Sequence, residues 1–152
     1  MKNKVWPKKI LSAIAIIVGG FVLWNLAFVL AAAVSFCWRA MLGIPNDQIA
    51  ASGWRYIFLA LVLIISWFVL RAKRVNTLIK ATYFTMPLMV ILILEGIQLY
   101  AYSNWLAFII GAIIDLAVLF YLYKKKSPWQ YYFATIFTGA TALIVMLAGI
   151  DI

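Results

Sequence analysis

Five apolar runs, each close to the length that crosses a bilayer, take up most of this 152-residue chain and leave little between them. They cover residues 10–36, 54–70, 77–100, 104–123 and 129–149. A spanning helix needs about 20 mainly apolar residues, and only 54–70 sits at the short end of that range. Composition agrees: 68% of residues are hydrophobic and 11% charged, against about 45–50% and about 25% in soluble domains. A water-soluble fold of this size has too little interior to hide that much apolar surface. The expected fold is therefore all-α, a single integral membrane domain over 1–152 built as a five-transmembrane-helix bundle. A soluble enzyme, a nucleic-acid-binding domain and a disordered chain are excluded.

Charge gives the orientation. Thirteen Lys and Arg against four Asp and Glu leave a net +9. The positives fall in three clusters: Lys2, Lys4, Lys8 and Lys9; Arg71, Lys73, Arg74 and Lys80; Lys124, Lys125 and Lys126. With five spans, all three clusters lie on one side, and only Arg39 and Arg55 fall on the other. The positive-inside rule then puts the N-terminus in the cytoplasm and the C-terminus outside, in a multi-pass protein of the cytoplasmic membrane. Arg71, Lys73, Arg74, Lys124, Lys125 and Lys126 are also candidates for holding anionic lipid headgroups. Amphipathic rings mark the two interfaces: Trp38, Trp54, Tyr56 and Trp105 outside; Trp67, Tyr121, Tyr123 and Trp129 inside. Trp24 alone falls mid-membrane.

The N-terminus imitates a signal peptide, with lysines, an apolar run and Ala31-Ala32-Ala33. The run is about twice the length of a signal core, so it reads as an uncleaved first helix. Residues 37–53 form the one long connection, punctuated by Gly43, Pro45, Asn46 and Asp47, with a short interfacial helix expected at 48–52. Residues 101–103 tie the third and fourth helices into a tight hairpin.

One comparison within the chain is informative. Residues 81–97, ATYFTMPLMVILILEGI, match 134–150, ATIFTGATALIVMLAGI, at eight of 17 positions without a gap. Each follows an apolar run and a basic loop. Helices two–three and four–five are thus candidates for a parallel duplication, an arrangement found in several transporters.

Chemistry is constrained first by what is missing. There is no histidine and only one cysteine, Cys37. That removes intrachain disulfides, His-ligated haem and the catalytic arrangements that need an imidazole. No phosphate-binding glycine loop or zinc-protease motif occurs. No cofactor and no metal are expected, and the chain is not expected to be an enzyme.

Two acids lie inside the apolar runs. A carboxylate at mid-bilayer costs roughly 2.5–3.5 kcal/mol on insertion scales, so such residues usually face a bundle interior or a wet cavity. By helical rise Glu95 lies about 8 Å and Asp115 about 17 Å from the outer boundary. The hairpin sets Asp115 opposite residues near Met89 and Glu95 opposite residues near Ile109. A close catalytic dyad is disfavoured by that offset, whereas a stepped polar path is compatible with it. Asp115, Glu95, Asn25, Gln98 and Thr138 are the candidate path residues. The plainer alternative makes Asp115 an uncharged acid bonded to Asn25, Ser66 or a helix-five threonine. Ala13, Gly20, Ala27 and Ala31, and separately Thr135, Thr138, Thr141, Gly139 and Ala142, read first as packing faces. Pro87 should kink the third helix.

The leading expectation is a small carrier or channel for a solute or ion, with Asp115 and Glu95 on the path. The alternative is a non-enzymatic accessory or assembly subunit; a lipid-modifying enzyme ranks third. Besides the lipid bilayer, the expected partner is a second copy or a larger membrane complex.

Overall fold

In hydrocarbon, backbone amides and carbonyls have no water to bond, and a helix satisfies them within one segment. The computed structural model describes residues 5–43, 53–100 and 102–147. They form α1 (Val5–Leu42), α2 (Gly53–Arg71), α3 (Thr77–Tyr100), α4 (Asn104–Lys124) and α5 (Trp129–Leu147). The first four are each long and apolar enough to cross a membrane. The protein is thus an all-α, helical membrane protein.

Both ends of α2, α3, α4 and α5 fall within two residues of the apolar runs, but α1 outruns its own at both ends. Hydropathy marks where hydrocarbon acts, and nothing in Lys8-Lys9 or in Trp38–Leu42 breaks a helix. Pro7 lies in the first turn, where its missing N–H costs nothing. Gly43, with φ +62, takes the left-handed conformation that ends helices. The first six residues of the connection expected at 37–53, as far as Leu42, are therefore helical; the helix expected at 48–52 lies outside the described residues. Pro87 sits inside an unbroken α3.

The buried run Thr85–Val90 shows that α3 is surrounded. It packs against all four other helices; α1 also touches α2 and α5, and α4 touches α5. The order around α3 is therefore α2, α1, α5, α4. Depth marks fix the directions. Ile16, Ala81 and Ala134 form one buried cluster. One turn or so further along each helix, a Cβ added at Gly20 would lie 3.1 Å from Thr85 Oγ1 and 3.2 Å from Phe137 Cε1. Hence α1, α3 and α5 run parallel, and their N-terminal ends gather Lys8, Lys9 and both basic connections at one end of the bundle. There Arg71 lies over Trp67 at 5.2 Å and Lys125 over Tyr121 at 5.6 Å. In each pair the cation follows its ring by one turn, which suits an interface where ring and charge both meet headgroups.

Lipid tails are as apolar as leucine, so close packing holds these helices rather than exclusion from water. On α1 the inward residues are Ile16, Gly20, Leu23, Ala27, Leu30 and Val34, spaced four and three apart. The small-residue spine through Gly20 and Ala27 is thus spent inside the bundle. On α5, Thr135 and Thr138 are fully buried. The Thr135, Thr138 and Thr141 hydroxyls donate to the Tyr131, Ala134 and Phe137 carbonyls of their own helix. A threonine that bonds its own backbone presents only methyl and backbone to its neighbour, so these residues make a packing face.

Candidate functional site

The parallel pair α3–α5 packs in a telling register. Ala81 meets Ala134, Thr85 lies with Phe137 and Thr138, and Met89 clusters with Ala142. Each contact joins a residue of α3 to one about 53 positions later, which is also the offset of the internal repeat. The same offset applied to the antiparallel hairpins pairs up two very different interiors. In the α2–α3 hairpin, Phe58, Val62, Met86 and Val90 form a buried cluster closed over by Ala27 of α1. Their counterparts 53 residues on are Gly111, Asp115, Gly139 and Leu143. Those four line a small hollow between α4 and α5. Where the α2–α3 hairpin has phenylalanine and methionine, the positions 53 residues on have glycine, and where it has Val62 they have an acid of nearly the same size.

Asp115 occupies this hollow, half-buried, with its carboxylate laid on the backbone of Gly139. An added Cβ at Gly139 would run into that carboxylate, whose Cγ would be 2.9 Å away. Glycine at 139 therefore leaves room for the carboxylate where it lies, and a larger residue there would turn the Asp115 side chain away. Asp115 Oδ1 is buried and has no hydrogen-bond partner. The cavity beside it is about 30 Å³ and is otherwise lined by Leu92, Ala107, Phe108, Ala112 and Ala142. That volume admits one or two water-sized groups. Ala112 and Leu143 are exposed, so the hollow opens sideways between α4 and α5 rather than toward either end of the bundle.

The lining settles what chemistry is available. Asp115 is the one side chain there with a polar group. A calcium ion takes six to eight oxygens and magnesium six; one carboxylate cannot supply them. A proton needs a single oxygen. Among the described residues no group of three or more His, Cys, Asp or Glu is placed to hold a metal ion.

The other expected path residues lie elsewhere. A Cβ added at Gly111 would lie 3.9 Å from Leu92 Cδ2, which sets Asp115 opposite Leu88, within a residue of the expected register. Glu95, half-buried on α3, then faces the level of Phe108, about 10 Å from Asp115 along the helices. Glu95 and Gln98 share one face of α3 beyond the hollow and do not line it. Thr138 is turned toward α1 and α3. Asn25 is exposed on the far side of α1, and its Nδ2 donates to the Phe21 carbonyl at 2.8 Å. It is neither a partner of Asp115 nor a member of a common path with it. Ser66, also considered as a partner for Asp115, donates instead to the Val62 carbonyl of its own helix at 2.6 Å. Arg71, Lys73, Arg74 and Lys124 to Lys126 stand exposed at the basic end, available to headgroups.

Two features escaped the sequence reading. One is Gly139, which reads in sequence as a packing residue and not as the seat of the carboxylate; the internal similarity points to it, because Gly139 stands 53 residues after Met86. The other is a larger cleft of about 320 Å³ between α1, α2 and α3, lined by Trp24, Phe28, Phe58, Met89 and Ile93 among others, with Arg55 and Ser35 at its rim. The buried indole N–H of Trp24 has no partner. Comparison with known proteins returns no matching family model, no matching curated protein and no matching solved structure, so the reading of this site rests on its own geometry.

Proposed function

We propose that this chain is a small, non-enzymatic proton carrier of the cytoplasmic membrane, with Asp115 as its proton-binding group. In this reading all five helices cross the bilayer, the basic end faces the cytoplasm, and the α2–α3 and α4–α5 hairpins are copies of one ancestral unit. One observation carries the proposal. At the position where the first hairpin is filled by Phe58, Val62 and Met86, the second holds a carboxylate with an unpartnered oxygen in a hollow made by two glycines. A structural acid would be expected to end on a donor. A proton-exchanging acid needs a free oxygen and some space.

The hollow is small and opens sideways, so the proton route does not run as a pore through one chain. Exchange at Asp115 requires movement of α4 against α5 or an adjoining chain. Glu95, one and a half turns or more outward, serves as a second station rather than as a partner in a dyad. Proton flux in proteoliposomes under an imposed pH gradient tests the reading. Wild type should dissipate the gradient, Asp115→Asn should abolish this, and Glu95→Gln should slow it. Wild-type flux no greater than that of empty liposomes would overturn it.

A second reading is favoured by Asn25, an amide turned outward at mid-membrane. It makes the chain an accessory subunit whose outer face is built for another helix. Absence of flux together with co-purification of a fixed-stoichiometry neighbour would support it.

A further inference from the structure

We infer that the outward face of α1 is a dimerisation surface for a second copy of this chain, with Asn25 of one copy bonded to Asn25 of the other. The inference does not depend on proton transport.

α1 carries two seams on opposite sides. The inner one keeps a spacing of four and three residues while it packs on α2, α3 and α5. The outer one keeps the same spacing through Ala15, Val18, Val22, Asn25, Val29 and Ala32, and every one of these residues is exposed. Such spacing keeps a seam on one side of a gently supercoiled helix over several turns. β-Branched residues at one seam position favour two strands in soluble coiled coils, and here Val22 and Val29 occupy it. Alanines at both ends allow close approach.

Apolar residues facing lipid would carry no information alone. Asn25 does. It stands near the middle of the apolar run, where lipid offers an amide nothing to bond. Its Nδ2 uses one hydrogen on the Phe21 carbonyl. That leaves a second hydrogen and the Oδ1 oxygen, one donor and one acceptor. A second copy related by a two-fold axis along the membrane normal presents the same two groups at the same depth by symmetry. An amide is self-complementary, so two reciprocal bonds form. A carboxylate or an ammonium at this position would repel its own copy. Amide side chains bond across membrane helices in this manner.

The test uses the full chain in liposomes with Cys37→Ser as background. Single cysteines at Val22→Cys and Val29→Cys should each cross-link to their own counterparts. Leu116→Cys and Ile144→Cys, exposed on α4 and α5, should not. Asn25→Leu should weaken the dimer about tenfold when lipid dilution is followed by energy transfer, since each bond is worth about 0.6 kcal/mol. Asn25→Gln, which keeps both groups, should recover part of that loss. A doubly substituted Ala81→Cys, Ala134→Cys chain reports whether each Asn25 variant still folds. Equal cross-linking at all four positions, no cross-linking at Val22 and Val29, or a monomer at every dilution would each overturn the inference.

Discussion

At Gly20 and Gly139 the same substitution should have different consequences. Alanine at Gly20 would press on Thr85 and Phe137, both held by packing. Overpacking of that kind costs about 1–3 kcal/mol, more than the roughly 1 kcal/mol that alanine gains over glycine in a helix. Gly20→Ala should lower thermal stability in detergent. Alanine at Gly139 meets only the end of the Asp115 side chain, which can rotate outward past Ala112 and Leu143. Gly139→Ala should therefore change stability by less than about 1 kcal/mol while increasing labelling of Asp115 by a hydrophobic carbodiimide. Unchanged labelling would mean that the carboxylate does not rest on Gly139. Asp115→Asn removes no hydrogen-bond partner from Oδ1, so it should leave the unfolding temperature nearly unchanged while removing proton flux. Thr138→Val loses only a bond to its own helix backbone and should change stability by less than about 1 kcal/mol with flux retained, since the hydroxyl is committed to Ala134.

For the helices, the sharpest expectation is register. If α3 and α5 pack parallel in the register seen here, Ala81→Cys with Ala134→Cys should form a disulfide in the Cys37→Ser background, and Ala81→Cys with Ala142→Cys should not. The bundle's outline was largely legible from sequence. Four of five helices end within two residues of the apolar runs, because hydrocarbon demands internal hydrogen bonding over a set length. α1 was misjudged at both ends because hydropathy reports lipid contact and not helix continuity. Which face of each helix turns inward was hardly legible: α1 is apolar all round, so its inner and outer seams look alike in sequence. The repeat carried more than it showed at first, since its offset is also the packing register of α3 on α5.

Most of the described basic residues gather at one end of the bundle, where Lys8, Lys9 and both basic connections meet. A reporter active only outside the cytoplasm, fused after residue 152, should be active, and one placed in the 125–128 connection should not. Activity of the second fusion, or silence of the first, would reverse the orientation or remove α5 from the set of spans. The candidate site divides along the same lines as the fold. Asp115 stood out in sequence because a carboxylate inside an apolar run is costly wherever it points. Glu95, Asn25, Gln98 and Thr138 stood out for the same reason, yet the fold scatters them: two beyond the hollow on α3, one toward α1, one facing lipid. Sequence alone determined that this chain is helical, that it belongs in a bilayer, and that imidazole chemistry is closed to it. The first two follow from solvation and hydrogen bonding, which act on each segment separately. Only the tertiary structure decided that Asp115 rests on Gly139 in a hollow, and that Asn25 looks away from it. Those depend on how each helix is turned about its axis, and in an apolar helix that turn is set by contacts between helices distant in the chain.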